Sequence, residues 1–229
     1  MTDATLVVTP AHDEEASVGL VVEGVRALGF RSLVVDDGST DNTSLVARSA
    51  GATVLSLPVN LGVGAALRTG FRYATRHGFK RVVQLDADLQ HPPEAIPLLL
   101  EAADRGADLV VGSRFSSGYD PGPRRVAMRL LSVVVSRRIG VQITDPTSGF
   151  KAVSEPLLSE FARSYPSEYL GDTVEALLQA GAFGASVVEV PVPMQPRAAG
   201  TPTTTPHAAG HFGRVLLAIL AGKPGRRDR

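Results

Sequence analysis

The stretch RVVQLDADLQHPPEAIPLLLEAADRG, residues 81–106, places a short apolar run, a cluster of acids and a helical pattern in direct succession. A short apolar run bounded by turn residues is typical of a buried strand. Asp86 and Asp88 follow this run directly. A buried carboxylate is costly unless something compensates it, so the candidates here are a metal ion, basic partners or solvent at the strand end.

The same order of strand and helix recurs along the first half of the chain. This alternation predicts an α/β fold with a doubly wound, mostly parallel central sheet. Ligands of such sheets bind at the carboxyl ends of the strands, and acidic clusters fall there at His12–Glu15, Asp36–Asp41 and Asp86–Gln90. The predicted strands are residues 5–11, 32–39, 53–57, 81–85 and 107–113, and the predicted helices are residues 15–29, 41–51, 64–77 and 93–106.

The composition fits one globular domain and excludes several classes of protein. The 229 residues carry 23 basic and 23 acidic side chains, so nothing predicts nucleic-acid binding. The absence of cysteine excludes disulfides and thiol catalysis. No signal peptide is evident, and the longest late apolar run is far shorter than the ~20 residues that span a bilayer. We expect a cytoplasmic protein, soluble or peripheral on the inner face of the membrane.

The Asp86-Ala87-Asp88 pattern suits a divalent cation. Hard oxygen ligands favour Mg²⁺ or Mn²⁺, which proteins hold with one or two carboxylates plus substrate phosphates. The alternative is that both aspartates cap the next turn and face water. Three companions favour a ligand: acids in VDDGSTDNT (35–43), small residues such as Gly62 where a helix begins, and Arg114, which could bind a phosphate bidentately.

The second half of the chain has a different pattern. A Gly-, Pro- and Ser-rich loop follows Arg114, and a polar loop (143–150) leads into a short strand. A final strand at residues 185–194 contains prolines, which indicate a sheet edge. Helices are predicted at residues 124–139, 155–163 and 172–181.

Six motifs in this order resemble glycosyltransferase family 2, in particular its dolichyl- or polyprenyl-phosphate mannosyltransferase type. They are PAHDEE (10–15), VDDGSTDNT (35–43), NLGVGAALRTGF (60–71), DADLQHPPE (86–94), GSRF (112–115) and DPTSGFKAVS (145–154). The resemblance implies a GT-A fold, inversion at the sugar carbon and a divalent metal on the donor diphosphate. It also implies one domain with a nucleotide-sugar half (1–114), an acceptor half (115–205) and a C-terminal helix with a basic tail (206–229).

The resemblance also implies roles for individual residues. The donor would be a nucleoside-diphosphate sugar, such as GDP-mannose or a UDP-hexose. Asp86 and Asp88, with Ala87, would form the floor for the metal and the ribose-diphosphate, and Gln90 would be a further metal ligand. Arg114 and Arg197 would contact phosphates. The nucleoside site would be lined by Pro10, His12, Glu14, Val35 and Asp37.

Two motifs depart from the family pattern. PAHDEE replaces the usual PAYNEE, so His12 stands where an aromatic residue would stack on the base; a merely structural histidine is the alternative. The late R-x-x-G-x-S-K motif becomes RAAGTPT (197–203), which lacks the lysine and weakens phosphate clamping by this loop.

The general base is not fixed by the motifs. A polyprenyl phosphate is already an anion and needs little deprotonation, whereas a hydroxyl acceptor needs a base. Asp145 and Asp172 are the candidates for that base; their alternatives are a turn residue before Pro146 and a helix cap.

The helix at residues 124–139 contains five arginines, including Arg125 and Arg129 one turn apart. This basic surface could attract the acceptor phosphate, an anionic membrane surface or a small membrane partner protein, or it could simply be solvated. The leading hypothesis is therefore a metal-dependent inverting transfer of a hexose to polyprenyl phosphate. The alternatives are a family 2 enzyme with a soluble hydroxyl acceptor, and a non-catalytic nucleotide-sugar-binding protein, against which the intact acids argue.

Overall fold

The computed structural model describes residues 4–114, 123–166, 172–193 and 195, without the side chains of residues 123–127 and 172. The strands are β1 (Thr5–Ala11), β2 (Arg31–Asp36), β3 (Thr53–Ser56), β4 (Arg81–Gln84), β5 (Leu109–Ser113), β6 (Lys151–Ser154) and β7 (Val187–Pro191). The α-helices are α1 (Val18–Ala27), α2 (Thr43–Ser49), α3 (Val63–Arg76), α4 (Ile96–Asp104), α5 (Pro123–Ile139), α6 (Leu157–Ser164) and α7 (Asp172–Phe183).

The described strands form one seven-stranded sheet in the order β3–β2–β1–β4–β6–β5–β7. All neighbouring pairs are parallel except the two that involve β6. The loops after Ala11, Asp36 and Gln84 therefore meet at one edge of the sheet. Because β6 is antiparallel, its first residue, Lys151, pairs with Gln84 at that same edge, and the loop before β6 reaches it too.

Apolar side chains cover both faces of the sheet. Helices α3, α5, α6 and α7 pack on one face through buried residues such as Phe71, Leu131 and Phe161. Helices α1 and α4 pack on the other face through residues such as Val21 and Leu99. The buried positions of α1, which include Val21 and Val25, recur at helical spacing, as expected for a helix with one apolar face.

The predicted α/β class and mostly parallel sheet are confirmed, with two differences in detail. The antiparallel direction of β6 was not predicted. The helix predicted at residues 93–106 begins as a 3₁₀ turn at Pro93–Ala95, and α4 follows from Ile96. Prolines are tolerated at such a start because the first N–H groups of a helix have no intrahelical partner. The final strand, β7, is an outermost strand of the sheet, as its prolines predicted.

Strands from both predicted halves share this sheet, since β6 lies between β4 and β5. The predicted C-terminal helix and tail (206–229) fall outside the described residues. Among the helices that the structure describes, none has the length and apolar character needed to cross a bilayer.

Candidate active site

The loops after β1 and β2 are joined by hydrogen bonds between acids, hydroxyls and backbone. His12 Nδ1 lies 2.9 Å from the carbonyl oxygen of Asp37. The backbone N–H of Asp13 donates to Ser39 Oγ at 3.0 Å, and the N–H of Thr40 donates to Asp13 Oδ1 at 2.7 Å. The two loops therefore form one surface at the edge of the sheet. The predicted stacking of His12 on a base stays a prediction, although its side chain is 40% exposed on this surface.

The predicted nucleoside residues Pro10 and Val35 lie opposite each other in the β1–β2 register. Both are buried in the sheet. The neighbouring Glu14 is half-buried; its backbone N–H donates to Thr43 Oγ1 at 2.8 Å and its carboxylate accepts from Ser17 Oγ at 2.8 Å. The structure thus brings these three predicted residues to the same end of β1 and β2.

The acids at the carboxyl end of β2 accept hydrogen bonds from backbone N–H groups. Asp36 accepts from the N–H of Ser39 at 2.9 Å and from the hydroxyl of Ser44. Burial acts to raise the pKa of Asp36, but these hydrogen bonds outweigh it, so the pKa lies below its ordinary value. Asp37 accepts from the N–H groups of Leu61 and Gly62, both at 2.8 Å, and its predicted contact with the base or ribose stays a prediction.

Asp37 therefore fixes the loop that leads into α3. Gly62 has a φ of 91°, a left-handed conformation that glycine adopts without a steric penalty. Its carbonyl accepts from the N–H groups of Ala65 and Ala66 and so begins the helix. The predicted contact of Gly62 with a phosphate stays a prediction, and its N–H is already bonded to Asp37.

Asp86 and Asp88 lie in the loop after β4, as predicted. Asp86 is half-buried and its carboxylate lies against Gly149, in the loop before β6. Asp88 is only 5% exposed, and its Oδ1 accepts from the N–H of Gln90 at 3.0 Å. Leu89, between Asp88 and Gln90, has a φ of 61°, so the chain turns sharply there. Ala87 is buried beneath this turn.

The donor groups of this loop fit a hard divalent cation. Two carboxylates and the Gln90 amide oxygen are the ligand types of Mg²⁺ or Mn²⁺. No group of three or more His, Cys, Asp or Glu side chains that could hold a metal occurs within the described parts of the chain. Proteins often hold Mg²⁺ with only one or two carboxylates and let substrate phosphates complete the coordination.

Arg114 is held by Asp145 across the site. Its Nε donates to Asp145 Oδ2 at 2.6 Å and its Nη2 donates to Oδ1 at 2.8 Å. Nη2 also lies 2.7 Å from Thr147 Oγ1. Asp145 is fully buried, whereas the Arg114 side chain is 27% exposed. The Nε–Nη2 edge of the guanidinium is therefore bonded to Asp145, and the contact of Arg114 with a phosphate stays a prediction.

This pairing changes the interpretation of Asp145. A general base needs an oxygen within reach of the acceptor, but both oxygens of Asp145 bind the guanidinium of a neighbouring residue. The geometry favours a positioning role for Asp145, holding Arg114 in one orientation. The sequence offered a turn residue before Pro146 as the alternative to a base here. The pairing of β5 with β6, which brings Asp145 to Arg114, could not be predicted from the sequence.

Sequence reasoning missed two residues around this pair. Glu189, in β7, accepts from the backbone N–H groups of Thr144 and Asp145 at 2.8–3.0 Å and so orients their loop. His91 is 4% exposed, and its ring stacks on Phe150 with centroids 5.1 Å apart. Burial and then the charge of Arg114 lower the pKa of His91 to about 4, so its imidazole is neutral at pH 7.

His91 lies in the loop after β4 and Glu189 lies within β7, and both strands were predicted. His91 was visible as a histidine directly after the acid cluster, in DLQHPPE. Glu189 gave no signal, because an acid in an edge strand is usually solvated.

The remaining predicted residues are described only in part. The Arg129 side chain is exposed on α5, while the side chains of Arg125 and Asp172 fall outside the described residues. Arg197 is also outside them, but the N–H of Gln195, two residues earlier, donates to the carbonyl oxygen of Gln90 at 2.9 Å. The described chain after β7 therefore contacts the loop of Asp88.

Three comparisons identify the group of proteins to which the chain is similar. The glycosyl transferase family 2 model matches residues 6–161. Polyprenol monophosphomannose synthase of Mycolicibacterium smegmatis is 33% identical over 212 residues, covering 87% of this chain and 80% of the relative. Undecaprenyl-phosphate mannosyltransferase of Micrococcus luteus is 32% identical over 207 residues and covers 85% of each chain.

A similar structure is that of glucosyl-3-phosphoglycerate synthase from Mycobacterium tuberculosis in complex with Mn²⁺, UDP and glucosyl-3-phosphoglycerate. It has a TM-score of 0.73 and 26% identity, and the match covers 98% of this chain and 81% of that one. The fold is accordingly that of the GT-A glycosyltransferases. With a family model that spans more than half of its length, the chain belongs to glycosyltransferase family 2.

Proposed function

We propose that the protein transfers a hexose from a nucleoside-diphosphate sugar, GDP-mannose or a UDP-hexose, to polyprenyl phosphate with inversion at the sugar carbon. The observation that carries the proposal is the similarity, over 85–87% of the chain, to two enzymes whose names specify a polyprenyl-type mannosyl transfer. The site geometry supports this proposal, since the possible metal ligands Asp86 and Asp88 and the partly exposed Arg114 lie at the same end of the strands.

The donor diphosphate would lie over the loop after β4. Asp86, Asp88 and Gln90 would hold Mg²⁺ or Mn²⁺ there, and Ala87 would line the floor beneath the ribose-diphosphate. A divalent ion bound at this position neutralises charge on the departing nucleoside diphosphate. The nucleoside would lie on the surface formed by the loops after β1 and β2, against Pro10, His12, Glu14, Val35 and Asp37.

Arg114 would supply fixed positive charge to the same diphosphate. Asp145 holds its Nε–Nη2 edge, so the guanidinium is oriented before the substrate binds. A preoriented cation stabilises developing charge without reorganising during the reaction. Arg197, which follows the segment bonded to Gln90, would add a further phosphate contact, as the family resemblance implies.

The acceptor would need no general base in this scheme. The attacking oxygen of a phosphate monoester is already anionic near neutral pH, so proton abstraction contributes little. This agrees with the observation that the carboxylate of Asp145 is fully buried and bonded to Arg114. Asp172 remains the candidate base if the acceptor is a hydroxyl compound.

The exposed face of α5 fits an anionic lipid acceptor. Arg129 and Arg137 are exposed on it, together with the apolar Leu130 (47%) and Val133 (43%). The helix sequence contains no acidic residue. A basic face with apolar side chains is suited to the surface of an anionic membrane, where each basic residue contributes ~1 kcal/mol. We propose that the protein binds peripherally to that surface through α5.

A soluble acceptor is the second candidate. The similar structures of glucosyl-3-phosphoglycerate synthase include complexes with phosphoglyceric acid, which is not a lipid. Such an acceptor combines a negative charge with a hydroxyl nucleophile, so the same basic surface could recognise it.

A transfer assay separates the two candidates. Purified protein is incubated with radiolabelled GDP-mannose or UDP-glucose, with Mn²⁺ or EDTA, and with either short-chain polyprenyl phosphate or phosphoglyceric acid. We expect label to enter the lipid fraction in Mn²⁺ and not in EDTA. Arg129→Ala should then raise the KM for the lipid more than the KM for the donor. Transfer to phosphoglyceric acid alone would contradict the lipid acceptor, and donor binding without transfer to either would favour a non-catalytic protein.

A further inference from the structure

The segment Ser148–Phe150, in the loop before β6, contacts the loop that carries Asp86 and Asp88 at two places. Gly149 lies against Asp86: a Cβ added to Gly149 would be 2.3 Å from Asp86 Oδ2 and 3.0 Å from Oδ1. Gly149 is not among the residues with a positive φ, so its backbone does not require glycine. A side chain here would therefore have to displace the Asp86 carboxylate, because the two would occupy the same space.

The other end of the segment contacts His91. The Phe150 ring stacks on the His91 ring at 5.1 Å with an angle of 22° between the planes. Phe150 is fully buried and His91 nearly so, and the buried Nδ1 of His91 has no hydrogen-bond partner. The packing against Phe150 thus helps to fix this ring in place. His91 directly follows Gln90, so the stack fixes the end of the loop that carries Asp88.

The segment is itself anchored to β5. Ser148 is fully buried, and its hydroxyl donates to the carbonyl oxygen of Gly112 at 2.6 Å. The N–H of Gly112 donates to the carbonyl oxygen of Phe150 at 2.9 Å, and the N–H of Phe150 donates to Ser148 Oγ at 3.2 Å. With two hydrogen bonds to β5 and one within the segment, Ser148–Phe150 can act as a rigid support.

We infer that Ser148–Phe150 is a positioning element for the Asp86–Gln90 loop: Gly149 sets the place of the Asp86 carboxylate, and Phe150 fixes the far end of the loop through His91. The inference rests on the proposed function, because it assumes that the loop binds a divalent metal. Partners that orient metal ligands typically change metal affinity by about 10–100-fold when they are altered.

The test is Mn²⁺ binding to the full chain in the presence of GDP or UDP, measured by calorimetry without an acceptor. Gly149→Ala should weaken Mn²⁺ binding at least about tenfold, because its methyl group displaces the Asp86 carboxylate. Phe150→Leu keeps an apolar side chain but loses the stack, and it should weaken binding less. Gly181→Ala is the matched control: its Cβ would be 2.8 Å from Ile139 Cγ2, between α7 and α5, and Mn²⁺ binding should be unchanged.

A double variant separates positioning from a general loss of structure. Gly149→Ala should lower the Tm of the otherwise wild-type protein, because its methyl group meets the Asp86 carboxylate. In the Asp86→Ala background that carboxylate is absent, so adding Gly149→Ala should leave the Tm unchanged. If Gly149→Ala alone does not fold, recovery of folding in the double variant still supports the inference, and failure to recover contradicts it. Wild-type Mn²⁺ affinity in folded Gly149→Ala would overturn the inference alone. A wild-type protein that binds nucleoside diphosphate equally in Mn²⁺ and EDTA would refute the proposed function as well.

Discussion

The loops after β1 and β2 use their acids differently from the loops around β5 and β6. In the first region, Asp13 and Asp37 accept hydrogen bonds from backbone N–H groups of neighbouring loops, and Asp36 accepts one from its own loop. In the second region, Asp145 binds the guanidinium of Arg114, and Glu189 orients the backbone that carries Asp145. Acids of the first region therefore join loops to one another, while acids of the second region orient the arginine side chain of Arg114.

This contrast narrows the set of acids available to a metal. A carboxylate that binds two backbone N–H groups, as Asp37 does, has its oxygens directed at the protein. Asp86 and Asp88, between the two regions, have the ligand chemistry for a divalent ion together with Gln90. We therefore expect three kinds of result. Substitutions in the loop of Asp86 and Asp88 should remove the metal dependence of nucleotide binding, those in the second region should lower turnover, and those in the first region should lower stability.

The largest effect is expected for Asp88→Ala. Removal of this carboxylate should abolish the gain in nucleoside-diphosphate affinity that Mn²⁺ gives, with the fold intact. The measurement is a thermal-shift or calorimetric titration with GDP and UDP, in Mn²⁺ and in EDTA. Asp104→Ala, which loses an ion pair with Arg81 at the opposite edge of the sheet, is a control that should keep the metal dependence. Tighter binding in Mn²⁺ than in EDTA for Asp88→Ala would refute the metal assignment.

The second effect is expected for Asp145→Asn. An amide supplies one acceptor oxygen instead of two, so Arg114 loses its bidentate partner and its orientation. Misplacement of a positioning group by about 1 Å can cost roughly 10²-fold in rate, and we expect a loss of that order in kcat for sugar transfer. Thr147→Val removes a neutral acceptor of Arg114 Nη2 and a hydroxyl donor to Asp145 Oδ1, but it keeps the bidentate ion pair, so it should cost much less. Equal rates for Asp145→Asn and wild type would mean that the orientation of Arg114 is not used in catalysis.

The third effect is expected in the first region and concerns stability. Asp37→Asn replaces an oxygen that accepts from Leu61 or Gly62 with an NH₂ group, which leaves a backbone N–H facing a donor. An unsatisfied buried group costs about 1–3 kcal/mol, so the free energy of unfolding should fall by that amount. Urea denaturation measures this loss, and Asp41→Asn, on a less buried acid, is a milder comparison. Unchanged stability in Asp37→Asn would contradict the structural role, and a loss of nucleotide affinity alone would leave only the proposed contact of Asp37 with the nucleoside.

The sequence predicted where the acids lie in the sheet better than it predicted which groups they bind. The alternation of strands and helices placed Asp37, Asp86 and Asp88 at one sheet edge, because parallel strands end together. The pairing of Arg114 with Asp145 could not be predicted, because it depends on β6 running antiparallel between β4 and β5. Periodicity shows that a segment is a strand but does not show its direction or its neighbours.

The smallest effect is expected for Asp172→Asn, and it tests the acceptor. A hydroxyl nucleophile must lose a proton as it attacks, and a positioned base typically contributes about 10²–10⁴-fold to that step. The attacking oxygen of polyprenyl phosphate is already anionic, and a carboxylate beside it would repel it. With that acceptor, Asp172→Asn should therefore change the rate of sugar transfer only slightly, in contrast to Asp145→Asn. Single-turnover transfer at saturating donor, with the two variants in parallel, measures the difference. If Asp172→Asn abolished transfer while Asp145→Asn kept the wild-type rate, the acceptor would be a hydroxyl compound and Asp172 its base.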